Sequence, residues 1–437
     1  TVSSEIMNSC IRQCGIKHVL TSRKVMEKLD LELDAEVVYL DDLKDKVSTT
    51  DKLISAAQTY LLPAAILERI LGLTKIKSDD LLTIIFTSGS TGDPKGVMLT
   101  QHNISTNVEA VDQVFRFTNK DTILGILPFF HSFGFTGNLW LTLTRSMAIT
   151  YHVSPLDARV IGKLAQKYKA TVLISTPTFL RTYLKRCTPE NFDTIDLVIC
   201  GAEKMPLDVA QAFEDKFGAR PIEGYGTTEL SPVVAANIPS HRSAMTNHAG
   251  VKEGTVGHPV PGVAAKIVDP ETGEDLGIDT PGMLLISGPN VMKGYLNRPE
   301  QTAEVIRDGW YVTGDIAKID SDGFIQITDR LSRFSKIAGE MVPHLQIENA
   351  LQDFLSQTDT EEDDMQVKAV VTAVPDERKG ERLVVVHLPL SQSPDEICQQ
   401  LKAAGLPNLF IPSPDSFVEV QEIPVLGTGK LDLKGLK

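Results

Sequence analysis

The alternation of residues 81–217 constrains the fold most. Short β-branched runs at 81–86, 122–127, 171–175 and 197–200 alternate with helix-like stretches at 103–114, 157–167, 178–187 and 207–217. Parallel strands need a long crossover, which a helix supplies. The pattern therefore predicts an α/β domain with a parallel sheet covered by helices. In the last helix, Ala210, Phe213 and Phe217 share one face, and Gly218 marks its end.

The flanking regions read differently. Residues 1–40 suggest a short α/β unit, with a helix near 4–13 and strands at 17–20 and 36–40. Residues 41–60 are polar and linker-like. The segment YLLPAAILERILGL (60–73) is apolar apart from Glu68 and Arg69. It has two readings: a helix buried against the next domain, or an interfacial helix touching a membrane. It is too short to span a bilayer and lacks a basic face. Over 255–330, Gly and Pro punctuate short strands (264–268, 282–287, 324–328), which predicts a small distorted β-barrel. After Arg330, helices (344–354, 395–404) and strands (367–374, 382–387) predict a small α+β domain.

Charge narrows the function classes. With 43 basic and 57 acidic residues the net charge is −14, which disfavours non-specific nucleic-acid binding. Five cysteines without a Cys-x-x-Cys disfavour a disulfide framework or a zinc site and predict a cytoplasmic setting.

Five motifs carry chemistry. Residues 87–96, TSGSTGDPKG, directly follow an apolar strand and hold three glycines, four hydroxyls and one lysine. Glycines let backbone N–H groups approach phosphate, hydroxyls donate further bonds, and lysine adds a cation. The Walker A spacing is absent, so this is not a P-loop of that type. GYGTTE (224–229) offers a ring to lay on a flat base, two threonines for phosphate, and Glu229 as a Mg²⁺ ligand. In WYVTGD (310–315), Asp315 can accept from both hydroxyls of a ribose. DRLSRFSKIAG (329–339) marks the change of texture, and LGTGK (426–430) puts Lys430 on a glycine-flanked turn.

Taken together and in this order, the motifs resemble the adenylate-forming superfamily of acyl-CoA synthetases, luciferases and peptide-synthetase adenylation domains. The resemblance covers essentially the whole chain. LPFFHSFGFTGNLW (127–140), GAEKM (201–205), EGYGTTELSPVV (223–234), RFSKIAGEMV (333–342) and PVLGTGK (424–430) are most similar to the acyl-carrier-protein synthetase part of bifunctional 2-acylglycerophosphoethanolamine acyltransferases. That family implies an AMP-binding domain (1–329), a hinge (330–336) and a mobile lid (337–437). The chain starts where the family's large domain is already under way, so the early part of that domain is expected to be absent.

Carried over by motif, Thr87, Ser88, Gly89, Ser90, Thr91, Gly92 and Lys95 would hold the β- and γ-phosphates of ATP. Gly201, Ala202 and Glu203 would line the adenine pocket, with Tyr225 between Gly224 and Gly226 stacking on the base. Thr227 would join the ATP site, Thr228 would meet the α-phosphate, and Glu229 would hold Mg²⁺. Asp315 and Arg330 would grip the ribose, and Lys430 would serve the first half-reaction. His131 would sit at the acyl mouth, with Lys336 and Gly339 along the pantetheine channel. Two positions depart from the family pattern: Asp329 stands where a Gly is usual, and Ser332 where the hinge usually carries Asp or Lys.

The resemblance implies ATP-dependent activation of a fatty acid to acyl-AMP, then transfer to a phosphopantetheine thiol of acyl carrier protein. The product would feed lysophospholipid acylation by a fused or neighbouring acyltransferase, with peripheral membrane contact. A long-chain acyl-CoA synthetase, a fatty acyl-AMP ligase and a non-catalytic nucleotide-binding fragment are the alternatives. An acidic carrier protein would need a basic patch, for which Arg333 with Lys336, or Arg378, Lys379 and Arg382, are candidates. Phe130, Phe133, Phe135 and Trp140 suggest an apolar wall for the acyl chain.

Overall fold

A computed structural model describes residues 3–87, 94–242, 250–330, 333–337, 340–355, 368–376, 380–424 and 435. The chain divides into two compact units, Val2–Thr313 with Lys318–Ile327, and Gly314–Ala317 with Thr328–Lys437.

The centre of the first unit is a seven-stranded sheet. Its order is His258–Pro259, Val233–Ala236, Pro221–Gly226, Leu197–Cys200, Val172–Ser175, Thr122–Gly125 and Ala148–Tyr151. The last five are mutually parallel, and Val233–Ala236 pairs antiparallel with both of its neighbours. Val172–Ser175 and Leu197–Cys200 are buried at every position, as a sheet covered on both faces requires. The register Ser175↔Cys200 and Cys200↔Glu223 brings three strands to one carboxyl edge, where open α/β sheets bind ligands.

The crossover helices follow from their ends. In Pro177–Arg186, the Thr176 hydroxyl caps the first turn and Pro177 occupies the first helical position. Leu207–Phe217 stops at Gly218, whose φ of 79° suits glycine. Between these helices Phe192, Phe213 and Phe217 pack with ring centroids 4.7–6.2 Å apart, and Tyr183 lies 5.9 Å from Phe192.

The run at 81–86 departs from the expected alternation. Leu81–Thr87 pairs antiparallel with Lys95–Thr100, and Gly294–Tyr295 adds a third strand on the far side. A strand, Lys95–Thr100, follows the glycine-rich segment, and the helix Gln101–Phe115 comes only after it. A further sheet contains Ala264–Val268, Gly282–Ser287, Trp310–Ile319 and Ile306–Arg307, in that order. This matches the small β unit expected there, and the overall α/β class stands.

Two expectations near the N-terminus fail. The stretch read as a linker is helical, as Leu40–Lys46 and Thr49–Leu61. Ser48 and Asp51 form a capping box whose local geometry outweighs the polar composition. The apolar segment 60–73 is not one buried helix. Pro63 separates Thr49–Leu61 from Ala64–Ile70, and Tyr60 and Leu61 are 86% and 78% exposed.

The second unit packs His344–Leu355 and Pro394–Ala403 on a sheet ordered Glu340–Pro343, Phe334–Ile337, Gly380–His387 and Ala369–Asp376, with Phe417–Glu419 joined to Gly380–His387. Its core includes Ile337, Val342, Ile347, Leu351, Val371, Val385 and Leu401.

Candidate active site

The turn after Pro221–Gly226 is the hub of the site. Gly226 has no alternative there, because a Cβ would lie 1.9 Å from the Pro232 carbonyl oxygen. The chain then makes a 3-10 turn, Thr228–Leu230, followed by Ser231 at φ 75°. Side chains distant in sequence hold this turn. The Ser231 hydroxyl donates to the Asn290 carbonyl at 2.7 Å, and Asn290 Nδ2 donates back to the Leu230 carbonyl at 3.0 Å. Thr136 Oγ1 donates to the Ser231 carbonyl at 2.8 Å, and Asn107 bonds both backbone groups of Val233. The Met292 N–H donates to the Glu229 carbonyl at 2.8 Å. Buried hydrogen bonds from several distant side chains, converging in this way, give a loop one conformation.

Three motifs meet at this turn. Thr228 Oγ1 lies 3.1 Å from Ser132 Oγ, which joins it to the HSFG segment. A Cβ on Gly201 would stand 3.2 Å from the Phe133 ring and 3.5 Å from the Gly224 carbonyl, so the GAE segment enters the same neighbourhood. The Glu229 Oε1 accepts from the Tyr295 hydroxyl at 2.8 Å, and the Lys95 ammonium lies 4.6 Å from the centroid of that Tyr295 ring. The Thr227 hydroxyl is buried and has no hydrogen-bond partner among the described residues. An orphaned buried hydroxyl in a motif rich in hydroxyls fits a phosphate oxygen.

The other site residues vary in how much can be placed. Thr87 and Lys95 face each other in register at the root of the glycine-rich hairpin, whereas Ser88, Gly89, Ser90, Thr91 and Gly92 lie outside the described residues. Ala202 takes φ 70°, and Glu203 accepts from the Thr178 hydroxyl at 2.7 Å. Tyr225 is half-buried on its strand. His131 caps the short helix that follows, its Nδ1 accepting from the Phe133 N–H at 3.3 Å. Asp315 is buried in the second unit. The backbones of Arg330 and Lys336 lie in Ile325–Arg330 and Phe334–Ile337, with side chains outside the described residues. Gly339 and Lys430 are outside them altogether, as are Ser332, Arg378 and Lys379.

Two sequence expectations need correction. Arg333 does not offer a free basic surface, because its guanidinium pairs with Glu348 and is only 14% exposed. Phe130 is 71% exposed and does not contribute to a closed apolar wall. Sequence reasoning also missed Tyr295, Tyr311, Ser132 and Asn290; Tyr311 and Ser132 lie inside quoted motifs without being singled out, whereas Tyr295 and Asn290 carry no local motif signal.

Burial, then the charge of Glu229, pushes the Tyr295 and Tyr311 phenols well above their ordinary range. Both tyrosines are neutral hydrogen-bond donors at any working pH. No cluster of three metal-ligating side chains occurs among the described residues. Magnesium in nucleotide sites takes one or two carboxylates and completes its shell with phosphate and water. Glu229, half-buried with Oε1 on Tyr295 and no hydrogen bond to Oε2 among the described residues, can serve as such a ligand.

The family model described as AMP-binding enzyme matches residues 1–296. A long-chain-fatty-acid–CoA ligase of Bacillus subtilis (strain 168) is 33% identical over 360 residues, covering 80% of this chain and 60% of that protein. A 4-coumarate–CoA ligase of Pinus taeda is 32% identical, covering 78% of this chain and 63% of its own length. The chain thus spans under two thirds of these relatives. ATP-bound MatB from Rhodopseudomonas palustris is similar in structure with a TM-score of 0.78 at 25% identity, over 100% of this chain and 81% of that one. The Bacillus subtilis o-succinylbenzoate CoA synthetase with its acyl-adenylate has a TM-score of 0.79 at 22% identity, over 100% of this chain and 81% of that one, a likeness of fold.

Proposed function

The chain belongs to the AMP-binding enzyme family, and from that premise we propose that it activates a fatty acid with ATP as an acyl-adenylate and passes the acyl group to a thiol. One observation carries the reading. Tyr295 has Lys95 of the glycine-rich hairpin on its ring face and Glu229 on its hydroxyl, so a phosphate-binding cation and a metal-ligating carboxylate sit on opposite functions of one side chain.

A carboxylate is a poor acyl donor because hydroxide leaves badly. Its oxygen attacks the α-phosphorus of ATP, the bond to the bridging oxygen breaks, and pyrophosphate leaves. The thiol sulfur then attacks the acyl carbon, AMP departs, and the thiol proton goes to solvent. The two anions must be brought together, so charge neutralisation is the main task. Lys95 and the backbone of residues 87–92 receive the terminal phosphates, Thr227 and Thr228 donate to phosphate oxygens, and Tyr225 takes the base. Asp315 and Arg330 take the ribose, and Lys430 supplies the second cation. Mg²⁺ held by Glu229 would supply Lewis-acid neutralisation of phosphate charge. Gly201, Ala202 and Glu203 border the base, and His131 borders the acyl entrance. Residues 330–336 act as a hinge between an AMP-binding part (1–329) and a lid (337–437), with Lys336 and Gly339 toward the pantetheine arm.

Coenzyme A is the acceptor that the relatives' names favour. The carrier-protein reading, with its link to lysophospholipid acylation and a neighbouring acyltransferase, rests on the motifs at 333–342 and 424–430. Among the described residues no helix is long and apolar enough to cross a membrane.

The test is pyrophosphate exchange with a panel of fatty acids. Acid-dependent exchange should fall about 10²–10³-fold in Lys430→Ala, the scale of losing one preorganised charge at the reacting phosphate. Adding CoA or carrier protein then identifies the acceptor by thioester formation. ATP binding without exchange for any acid would overturn the proposal in favour of a non-catalytic nucleotide-binding role.

A further inference from the structure

We infer that Tyr295, backed by Tyr311, is a positioning residue that holds the Glu229 carboxylate in place for the metal of the ATP complex. The inference rests on the reading of Glu229 as the metal ligand. Tyr295 is 3% exposed and Tyr311 5% exposed, and the Glu229 charge acts on both phenols.

The geometry gives the Tyr295 proton an acceptor on the carboxylate. The Tyr295 hydroxyl donates to Glu229 Oε1, 2.8 Å away, and the Tyr311 phenol lies near enough to interact with it. The phenol itself is fixed by its backbone. Gly294–Tyr295 pairs with Lys95–Thr100 in the register Tyr295↔Val97, and the Tyr295 N–H donates to Thr302 Oγ1 at 2.9 Å. Gly294 adopts φ 143°, and a Cβ there would meet Thr302 Cγ2 at 2.8 Å, so the dipeptide is locked against the following helix. An otherwise rotatable carboxylate is thereby aligned by a phenol whose backbone is held in place. Partners that orient a metal's first ligand in this way govern metal affinity. The same ring carries Lys95 on its face, which couples the hairpin lysine to the carboxylate without either touching the other.

The experiment is calorimetric titration of ATP into the intact chain, once with Mg²⁺ and once with EDTA. The readout is the gain in ATP affinity that Mg²⁺ brings. Tyr295→Phe keeps the ring under Lys95 and removes only the donor. It should reduce that gain about tenfold, the lower range for loss of a ligand-orienting partner, and leave the affinity in EDTA unchanged. Tyr311→Phe should act in the same direction and less strongly. In a Glu229→Gln background, Tyr295→Phe should add nothing. An unchanged gain in Tyr295→Phe, or an equal loss with and without Mg²⁺, would overturn the inference and leave the tyrosine a structural prop. Should Tyr295→Phe not fold, Tyr311→Phe decides by the same criterion. If Glu229→Gln keeps the full gain, the metal assignment itself fails. If Glu229→Gln loses the gain while Tyr295→Phe keeps it, only the positioning role falls.

Discussion

Residues 3–76 and residues 95–236 are built from similar local signals and end in opposite environments. In the earlier region helices are well capped, by Ser3, Ser22 and Ser48. Yet Ile11 is its only buried apolar residue among those described, and Leu53, Ile54, Leu61, Ile70 and Leu71 are more than half exposed. In the later region whole strands are buried at every position. The contrast teaches that capping and periodicity suffice to form an element, whereas burial depends on what lies opposite it. Most helix stability in proteins comes from packing of the apolar face.

Substitutions can break or sharpen this contrast. The largest loss should come from the aromatic cluster of the sheet region. Phe213→Ala removes a fully buried ring packed on Phe192 and Phe217, and should cost about 3–5 kcal/mol in a denaturant titration. An effect under about 1 kcal/mol would mean that the cluster collapses around the gap.

Next is the buried pair of Asp121 and Arg242, 2.7 Å apart, which joins the loop before Thr122–Gly125 to the turn at 239–242. Asp121→Asn should approach the low end of the about 3–5 kcal/mol expected for breaking a buried pair, because Asp196 still holds Arg242 at 2.8 Å. Burial raises the Asp121 pKa, but the Arg242, Thr118 and Thr171 hydrogen bonds outweigh it and hold the carboxyl below its ordinary value. A depressed folded-state pKa means stability that is present above the ordinary value of 3.8 and lost as pH falls through the lower folded value. Unfolding free energy should therefore decline below pH 3.8 in the parent and decline less steeply in Asp121→Asn. Parallel profiles would refute the assignment.

Smaller effects belong to the exposed region. Ser48→Ala removes the hydroxyl half of a capping box, while the Asp51 carboxylate can still accept from the backbone N–H of residue 48, and should weaken Thr49–Leu61 by about 1 kcal/mol. Hydrogen exchange of that helix should report the loss while global stability barely moves. Smallest of all, Leu61→Ser should change stability by no more than about 0.5 kcal/mol. A loss of several kcal/mol there would show that Leu61 is covered in solution, and the contrast would disappear.

Much of this was legible beforehand, for identifiable reasons. Leu207–Phe217 and Leu197–Cys200 match the sequence expectation at both ends, because a helical stripe stopped by glycine and a short β-branched run are local patterns. The phosphate-like hairpin and the GYGTTE turn were legible through composition at short range. The partner strand Lys95–Thr100 was not, because its character comes from pairing with Leu81–Thr87. Arg333 read as a solvated cation, and only the fold shows it paired with Glu348.

The sequence by itself determined many of the elements, the order of the motifs and hence the family, because turn chemistry, caps and periodicity act over a few residues. The tertiary structure decided which side chains meet. Tyr295 stands 66 residues from Glu229 in the chain, and no local pattern relates the two. Only strand pairing with Lys95–Thr100 brings its phenol to that carboxylate, since a 2.8 Å hydrogen bond depends on positions in space rather than on distance along the chain.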